Sequence, residues 1–333
     1  MTTKRYAYID NAKVLFIFLV VFGHLIQPFT SKTTGISAIY TWIYTFHMPA
    51  FILLSGFFAK GMHSLRDVWK LFKQLIVPYL IFQIAYTGYY FWIGKNNWAT
   101  DNMFVPHWSL WFLLSLFSWH LLLTVFRRFP AYVGLPIAVV IGLVVGYNAD
   151  IGHAFSLSRT FVFFPFFLAG YFLTKEHFDK LQRPLVRIGA IFILIIAFFF
   201  IYYGPEIDTG WLLASKSYET LGASETGALW RLVVYSVAAV MTMSVLALIP
   251  TKEWRGTVLG ERTLYVYLLH GFFIQYARAN DFFTVDATID LFALALIAAI
   301  LVLVLSSQPV RMLTQPMIEL RTTLWKNREA NQN

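Results

Sequence analysis

The sequence predicts an all-α polytopic membrane protein, a bundle of about ten transmembrane helices with both termini in the cytoplasm. Of its 333 residues, 58% are hydrophobic and only 13% are charged. Apolar stretches close to twenty residues long recur along the chain, and an α-helix needs that length to cross about 30 Å of hydrocarbon. These stretches run continuously, whereas the strands of a membrane β-barrel alternate apolar and polar residues.

Ten spans are predicted, joined mostly by short connections. They cover roughly residues 13–29, 36–58, 74–94, 107–126, 132–147, 160–174, 185–203, 229–249, 263–279 and 287–306. The first span lacks a small-residue cleavage site and contains Lys13 and His24, so we expect it to stay in the mature protein. No internal repeat or long linker is evident. Residues 1–333 are therefore predicted to form one membrane domain, with a short cytoplasmic tail at about 307–333.

The basic residues predict the orientation, because Lys and Arg accumulate on the cytoplasmic side of a membrane protein. With the N-terminus inside, all but six of the 26 Lys and Arg residues lie in the inner half; the six are Lys32, Lys95, Arg159, Lys216, Arg231 and Arg278. The inner connection 60–73 is predicted to be an amphipathic helix on the membrane surface. The longest outer loop, 204–228, either admits an acceptor or simply joins two helices.

Composition also limits the expected ligands. The chain has no cysteine, so no disulfide framework and no cysteine-ligated metal is expected. Its net charge of +9 would suggest nucleic acid in a soluble protein. Here the charge is distributed by membrane topology, so the expected partner is membrane lipid, with no nucleic acid and no metal.

Two histidines at membrane depth, His24 and His47, are the main candidates for a functional site, because an ionisable group is costly there. With a rise of ~1.5 Å per residue, each lies about 16 Å into its span, so the two imidazoles are expected to meet. Pro49 should bend the second span. Lys13 lies three turns below His24 on the same face, with Asp10 beside it.

A histidine is suited to take a proton from a hydroxyl or to accept an acyl group itself. We predict His24 and His47 as catalytic residues, with Asp10 and Lys13 positioning His24. The alternative is that both histidines only form hydrogen bonds between helices. Two of them at one depth favour the catalytic interpretation.

Basic residues near the inner surface form a second candidate group, comprising Lys70, Lys73 and Arg127 beside Arg128. Such cations suit the phosphates of a cytoplasmic acyl-CoA. These cations could instead only set the membrane topology or bind anionic lipid headgroups, and for the Arg127–Arg128 pair that explanation is favoured. His270, about 10 Å into its span, is interpreted as a packing or donor-channel residue and not as a second base.

Three outer residues are candidates for binding the acceptor. Arg159, at the outer end of the sixth span, either orients a sugar or carbonyl oxygen or reaches outer headgroups. Trp108 and Trp111 belong to a group of outer tryptophans that includes Trp98. An aromatic belt explains most of that group, and one or two of them are expected to stack on a sugar ring.

Several ordered pieces of the sequence resemble the membrane-bound acyltransferase-3 family, from about residue 6 to residue 306. The opening pattern is Asp10-Asn-Ala-Lys13 followed by ten residues and His24. The second span, Phe46-His47-Met-Pro49 through Ser55-Gly56-Phe57-Phe58, is similar to the fucose-4-O-acetylase-like branch. Further matches are Leu75-Ile-Val-Pro78-Tyr79, Trp108-Ser-Leu-Trp111, Arg159 ahead of Phe164-Pro-Phe-Phe-Leu-Ala-Gly170, and Gly260 with Leu264-Tyr-Val-Tyr-Leu-Leu-His270.

The resemblance implies transfer of an acyl group, usually acetyl, from cytoplasmic acyl-CoA. The acceptor is a sugar hydroxyl on a surface glycan or its lipid-linked precursor, and the enzyme lies in the bacterial cell membrane. It implies that His24 is the catalytic histidine and that Lys13 fills the family's basic position. Lys70 and Lys73 stand where the family tends to carry two arginines, which puts a forked phosphate contact in doubt. The alternative is a sugar transporter that uses the histidines as a proton relay.

Overall fold

The computed structural model describes residues 6–59, 61–62, 64–95, 105–149, 151 and 154–323. Within these ranges the chain is helical and contains no β-strand. Its α-helices are α1 (Ala7–Ile26), α2 (Thr34–Tyr44), α3 (His47–Phe57), α4 (Leu65–Trp92), α5 (Trp111–Phe126), α6 (Ala131–Val145), α7 (Leu157–Phe172), α8 (Lys175–Leu181), α9 (Pro184–Tyr203), α10 (Gly210–Leu213), α11 (Gly227–Leu248), α12 (Thr263–Ala279), α13 (Leu291–Leu305) and α14 (Gln308–Ile318). The prediction of an all-α bundle is confirmed for this part of the chain.

Every predicted span contains a helix, but not every helix is long enough to cross a membrane by itself. Within the described ranges, seven segments meet the requirements of length and apolarity: Ala7–Phe29, Thr34–Phe57, Leu65–Trp92, Trp108–Phe126, Pro184–Tyr203, Gly227–Leu248 and Thr288–Leu305. Helices α7 and α8 form an eighth candidate, bent by 98°. Helix α6, with 15 residues, and α12, with 17, are shorter. The described helices are those of a polytopic membrane protein.

The second span is broken where the sequence predicts a bend. Helix α2 ends at Tyr44, and α3 begins at His47 after Phe46, whose backbone is not helical (φ −131°, ψ −29°). Pro49 explains the break, since its ring lacks an N–H and would clash with the carbonyl of Thr45, four residues earlier. His47 therefore stands at the first position of a new helix.

The amphipathic surface helix predicted for residues 60–73 is wrong. From Leu65 onward these residues are the first turns of α4, which continues without interruption for 28 residues. Ser64 and Asp67 close its start as a capping box, with Asp67 N donating to Ser64 Oγ (3.2 Å) and Ser64 N donating to Asp67 Oδ2 (3.0 Å). No glycine or proline separates the basic segment from the apolar one, so no residue between them terminates the helix. Lys60 lies outside the described residues.

The tail predicted at 307–333 begins with helix α14. Tyr265 Oη donates to Glu319 Oε1 (2.6 Å), and the guanidinium of Arg311 lies over the Tyr265 ring at 5.4 Å. Ile318 is buried among residues of α4, α5 and α12. This segment therefore packs on the bundle, while residues 324–333 lie outside the described ranges.

Helices α3 and α7 approach each other through two reciprocal glycines. A Cβ built on Gly56 would lie 1.9 Å from the carbonyl oxygen of Phe167, and one built on Gly170 would lie 1.9 Å from that of Leu53. Real atoms cannot come that close, so each glycine lets its own helix contact the backbone of the other. Small residues at crossings allow this kind of close packing in membranes.

We expect Gly170→Ala to destabilise the protein, because the added methyl group must push α3 away from α7. Overpacking of this kind costs about 1–3 kcal/mol or more. The measurement is the thermal unfolding midpoint of the detergent-solubilised protein. Gly189→Ala in α9 is the matched control, since a Cβ there meets no atom within 4 Å. Equal midpoints for the two variants would contradict the close approach.

Candidate active site

The polar residues predicted to form the site lie at two ends of the bundle, which α1 connects. Asp10 and Lys13 lie near its start and His24 lies near its finish. Along the axis, Lys13 and His24 are separated by about 16 Å. We call the two ends the Lys13 end and the His24 end.

His24 is half-buried and is surrounded by four side chains. The ring of Trp108 lies 4.3 Å from it, centroid to centroid, and the ring of His270 lies 5.5 Å away at an interplanar angle of 23°. The hydroxyl of Tyr44 is 3.4 Å from His24 Nδ1. Arg278 Nη2 donates to the main-chain carbonyl of His24. Helices α1, α2 and α12 and the segment before α5 therefore converge on this imidazole.

His270 is fully buried, and one of its two ring nitrogens has a hydrogen-bond partner. Its Nδ1 lies 3.0 Å from the carbonyl oxygen of Val266, one turn earlier in α12. A carbonyl only accepts, so Nδ1 carries the hydrogen and the neutral ring has its lone pair on Nε2. Within the described residues, Nε2 is buried without a hydrogen-bond partner. A buried polar atom without a partner is costly and often marks a functional position.

His270, which the sequence predicts as a packing or donor-channel residue, lies in the cluster around His24. Its ring contacts those of His24 and Trp108 (5.2 Å) directly. The sequence places His270 246 residues after His24, so no local pattern predicts this contact.

His47 does not contact His24 as expected. Its Nδ1 donates to the carbonyl oxygen of Ile43 (2.9 Å), and its ring meets that of Tyr44 edge to face at 4.4 Å. Tyr44 therefore lies between the two histidines. The carbonyl of Ile43, in the last turn of α2, accepts the hydrogen bond from the His47 ring. Among the described residues, the His24 ring contacts that of His270 and not that of His47.

Asp10 and Lys13 lie too far along α1 to position His24, which corrects that prediction. Lys13 Nζ is 3.5 Å from Asp10 Oδ1 and lies over the Phe58 ring at 4.6 Å. The neighbouring Asn11 donates to the carbonyls of Pro250 (2.9 Å) and Lys252 (3.0 Å). In the structure, this pair belongs to the Lys13 end.

Trp108 is held in an uncommon backbone conformation beside the histidines. Its φ of +41° lies in the left-handed region, which a bulky residue adopts only where its surroundings enforce it. Tyr267 Oη donates to the carbonyl of Ser109, and His107 N donates to Gln83 Oε1 (2.9 Å). Thr87 Oγ1 lies 2.7 Å from His107 Nε2. These contacts fix the segment that presents Trp108 to His24.

Arg159 and Trp111 form a second contact at the His24 end. The Arg159 guanidinium lies over the Trp111 ring at 5.1 Å, and Arg159 Nε donates to the carbonyl of Leu213 (3.1 Å). Leu213 ends α10 in the long outer loop, so that loop is tied to the bundle. In the same loop, Gly210 N donates to Asp208 Oδ1 (2.7 Å), which lowers the pKa of the Asp208 carboxyl.

The predicted phosphate-binding residues lie at the opposite end from His24. Lys70 and Lys73 are exposed on the first turns of α4, and Lys73 Nζ lies over the Trp69 ring at 5.2 Å. Arg127 follows the last turn of α5 and packs against Gly61. Nothing in the described ranges joins these three cations into one site. No group of three or more metal-ligating side chains lies in those ranges.

Sequence reasoning missed Tyr44 and Arg278. Arg278 was noted only as one of six outer cations, yet it bonds to His24, donates to Gln27 Oε1 (2.9 Å) and lies over the Trp108 ring at 5.5 Å. The available signal was its place in the last turn of a span, at the same end as His24. Trp98, the remaining tryptophan of the outer group discussed above, lies outside the described residues.

Comparisons with known proteins agree with this architecture. A family model described as an acyltransferase domain matches residues 6–307. A nodulation protein, NolL of Sinorhizobium fredii (strain NBRC 101917 / NGR234), is 28% identical over 149 residues, which is 40% of this chain and 41% of that protein. The alignment thus spans about two fifths of the curated relative. No solved structure matches the chain. The match over nearly the whole chain shows that this multi-pass membrane protein belongs to the acyltransferase-3 family.

Proposed function

We propose that this protein transfers an acyl group, most often acetyl, from cytoplasmic acyl-CoA to a hydroxyl group of a sugar. The acceptor is a surface polysaccharide or its lipid-linked precursor, and the enzyme works in the bacterial cell membrane. Family membership supports acyl transfer. One structural observation supports a histidine-dependent reaction: His24 and His270 lie against each other, and within the described residues His270 Nε2 is buried without a hydrogen-bond partner.

The two histidines divide the chemistry in this proposal. The oxygen of the acceptor hydroxyl bonds to the acyl carbon while its proton moves to a ring nitrogen of the pair. The C–S bond breaks, its electron pair goes to sulfur, and the proton then passes to the CoA thiolate. His270 Nε2 is the proton acceptor, since its other nitrogen already donates to Val266. His24 contacts the acyl group as a second base. Alternatively, a His24 nitrogen bonds to the acyl carbon as the C–S bond breaks, and the acceptor oxygen then bonds to that carbon as the C–N bond breaks and its electron pair returns to nitrogen.

The two ends of the bundle suit the two substrates. Exposed Lys70 and Lys73, with Arg127 at the same end, attract the CoA phosphates. The pantetheine arm then extends toward His24, a distance of about 16 Å along α1 from the level of Lys13. Arg159, Trp111 and Trp108 meet the acceptor at the His24 end. This arrangement requires the predicted topology of ten spans with both termini in the cytoplasm.

Tyr44 and His47 support the pair from one side. The Tyr44 hydroxyl faces His24 Nδ1, and the His47 ring packs on the Tyr44 ring. We assign Tyr44 to orient the His24 imidazole and His47 to orient Tyr44. Asp10 and Lys13, at the other end of α1, act on the donor side.

The purified full-length protein in lipid nanodiscs tests this function. Radiolabelled acetyl-CoA and deacetylated surface polysaccharide are supplied on an accessible nanodisc, so that no transport step is needed. We expect label to enter the polysaccharide as an alkali-labile ester. Absence of incorporation, together with polysaccharide flux through proteoliposomes lacking any acyl donor, would favour the transporter alternative.

A further inference from the structure

A cleft of about 300 Å³ opens at the His24 end, between the last turns of α1 and α12 and the residues that follow each helix. Its walls include Leu25, Gln27, Phe29, Arg278, Asp281 and Phe283. A cleft of this volume is at the lower limit of typical small-ligand sites. It lies outside the cluster of rings around His24, so the mechanism above does not use it.

Arg278 connects this cleft to His24. It lines the cleft, and its Nη2 donates both to the main-chain carbonyl of His24 and to Gln27 Oε1. Its guanidinium lies over the ring of Trp108, which contacts the imidazole. Its Nε is buried and lacks a hydrogen-bond partner within the described residues. A ligand in the cleft is therefore separated from His24 by the width of one arginine side chain.

The lining has the chemistry that binds a sugar ring. Phe29 and Phe283 offer apolar surfaces to the C–H groups of a pyranose. Asp281 accepts hydrogen bonds from hydroxyl groups, while Gln27 and Arg278 donate to their oxygens. A carboxylate in the wall disfavours the polyphosphate of CoA, because the like charges repel each other.

We propose that this cleft extends the acceptor site and holds one pyranose ring of the glycan, with the reacting hydroxyl directed past Arg278 toward His24, where Trp108, Trp111 and Arg159 meet the acceptor. The inference rests on the proposed function, which it deepens by assigning a place to the acceptor. Leu25 and Ile274 form the apolar floor, and both are buried in the core cluster that contains α1 and α12.

The absence of native cysteine allows the cleft to be blocked at one chosen point. Phe283→Cys places a thiol on its wall, where a sulfonatoethyl methanethiosulfonate reagent adds a bulky anion. We expect the modified variant to transfer labelled acetyl to deacetylated surface polysaccharide at least tenfold more slowly than the same variant before modification. Its binding of acetyl-CoA should be unchanged. Phe29→Cys, which places a thiol on the part of the wall that follows α1, is the second variant in case the first folds poorly. Ile289→Cys, a position 66% exposed outside the cleft, is the matched control.

A second measurement does not depend on catalysis. Oligosaccharides cut from the same deacetylated polysaccharide are expected to slow labelling of the Phe283→Cys thiol at least fivefold, while leaving the Ile289→Cys thiol unaffected. Modified protein that transfers acetyl at the control rate, or labelling that the oligosaccharides do not slow, overturns the assignment of the cleft. If protection is seen but no transfer occurs, the sugar site stands and the acyltransferase proposal fails. If transfer occurs but the oligosaccharides do not slow labelling, the acyltransferase proposal stands and the assignment of the cleft fails.

Discussion

His24→Ala is expected to abolish acyl transfer, while the protein still inserts and folds. The variant removes the imidazole that contacts His270 and Trp108, so the proposed second base or acyl carrier is lost while His270 remains. General base catalysis alone contributes about 10²–10⁴-fold, so we expect a loss of at least about 100-fold. The fold should survive, because Arg278 bonds to the main-chain carbonyl of His24 and that bond stays. The measurement is incorporation of radiolabelled acetyl by purified protein in nanodiscs.

His120→Ala provides the matched control for this loss. His120 is also half-buried in a helix, α5, and its ring contacts Phe167 at 5.4 Å. Because both histidines are half-buried, removing either ring should change packing by a similar amount. His120 lies outside the cluster around His24, so its removal leaves the proposed chemistry unchanged. Comparable transfer rates for the two variants would show that the His24 imidazole is dispensable, and the proposed function would lose its central residue.

Local features of this chain could be predicted from its sequence. The length of its apolar stretches predicted where helices form, and Pro49 predicted the interruption between α2 and α3. The cost of burying an imidazole in lipid singled out His24. Each of these inferences depends only on neighbouring residues, whose effects follow directly from backbone and membrane chemistry.

The partners of His24 could not be predicted in the same way. Helical rise predicts depth but not rotation, so His24 and His47 appeared to meet, whereas Tyr44 separates them in the structure. The contact with His270 depends on how α12 packs against α1, which no local pattern encodes. The continuity of α4 was missed for a different reason. Basic residues were interpreted as a surface boundary, yet charge by itself does not end a helix that is well capped at Ser64.

His270→Asn is expected to reduce transfer by at least about 100-fold, with an unchanged KM for acetyl-CoA. The asparagine amide nitrogen stands near the place of Nδ1, so it still donates to the Val266 carbonyl that the histidine contacts at 3.0 Å. The lone pair of Nε2 is lost. The variant thus removes the proposed base while it keeps the hydrogen bond to the Val266 carbonyl in α12. The measurement is kcat and KM for both substrates in nanodiscs, with thermal unfolding as the check on folding.

His47→Asn is the matched control for this substitution. His47 is equally buried and makes the same kind of bond, from Nδ1 to the carbonyl of Ile43, four residues earlier. Among the described residues its ring contacts that of Tyr44 and not that of His24, so we expect its loss to lower kcat by less than about tenfold. If both variants lose activity equally, a buried imidazole at either position serves packing, and His270 is not the base. If only His270→Asn is impaired, and exogenous imidazole restores transfer to His270→Ala, the missing function is a nitrogen lone pair beside His24.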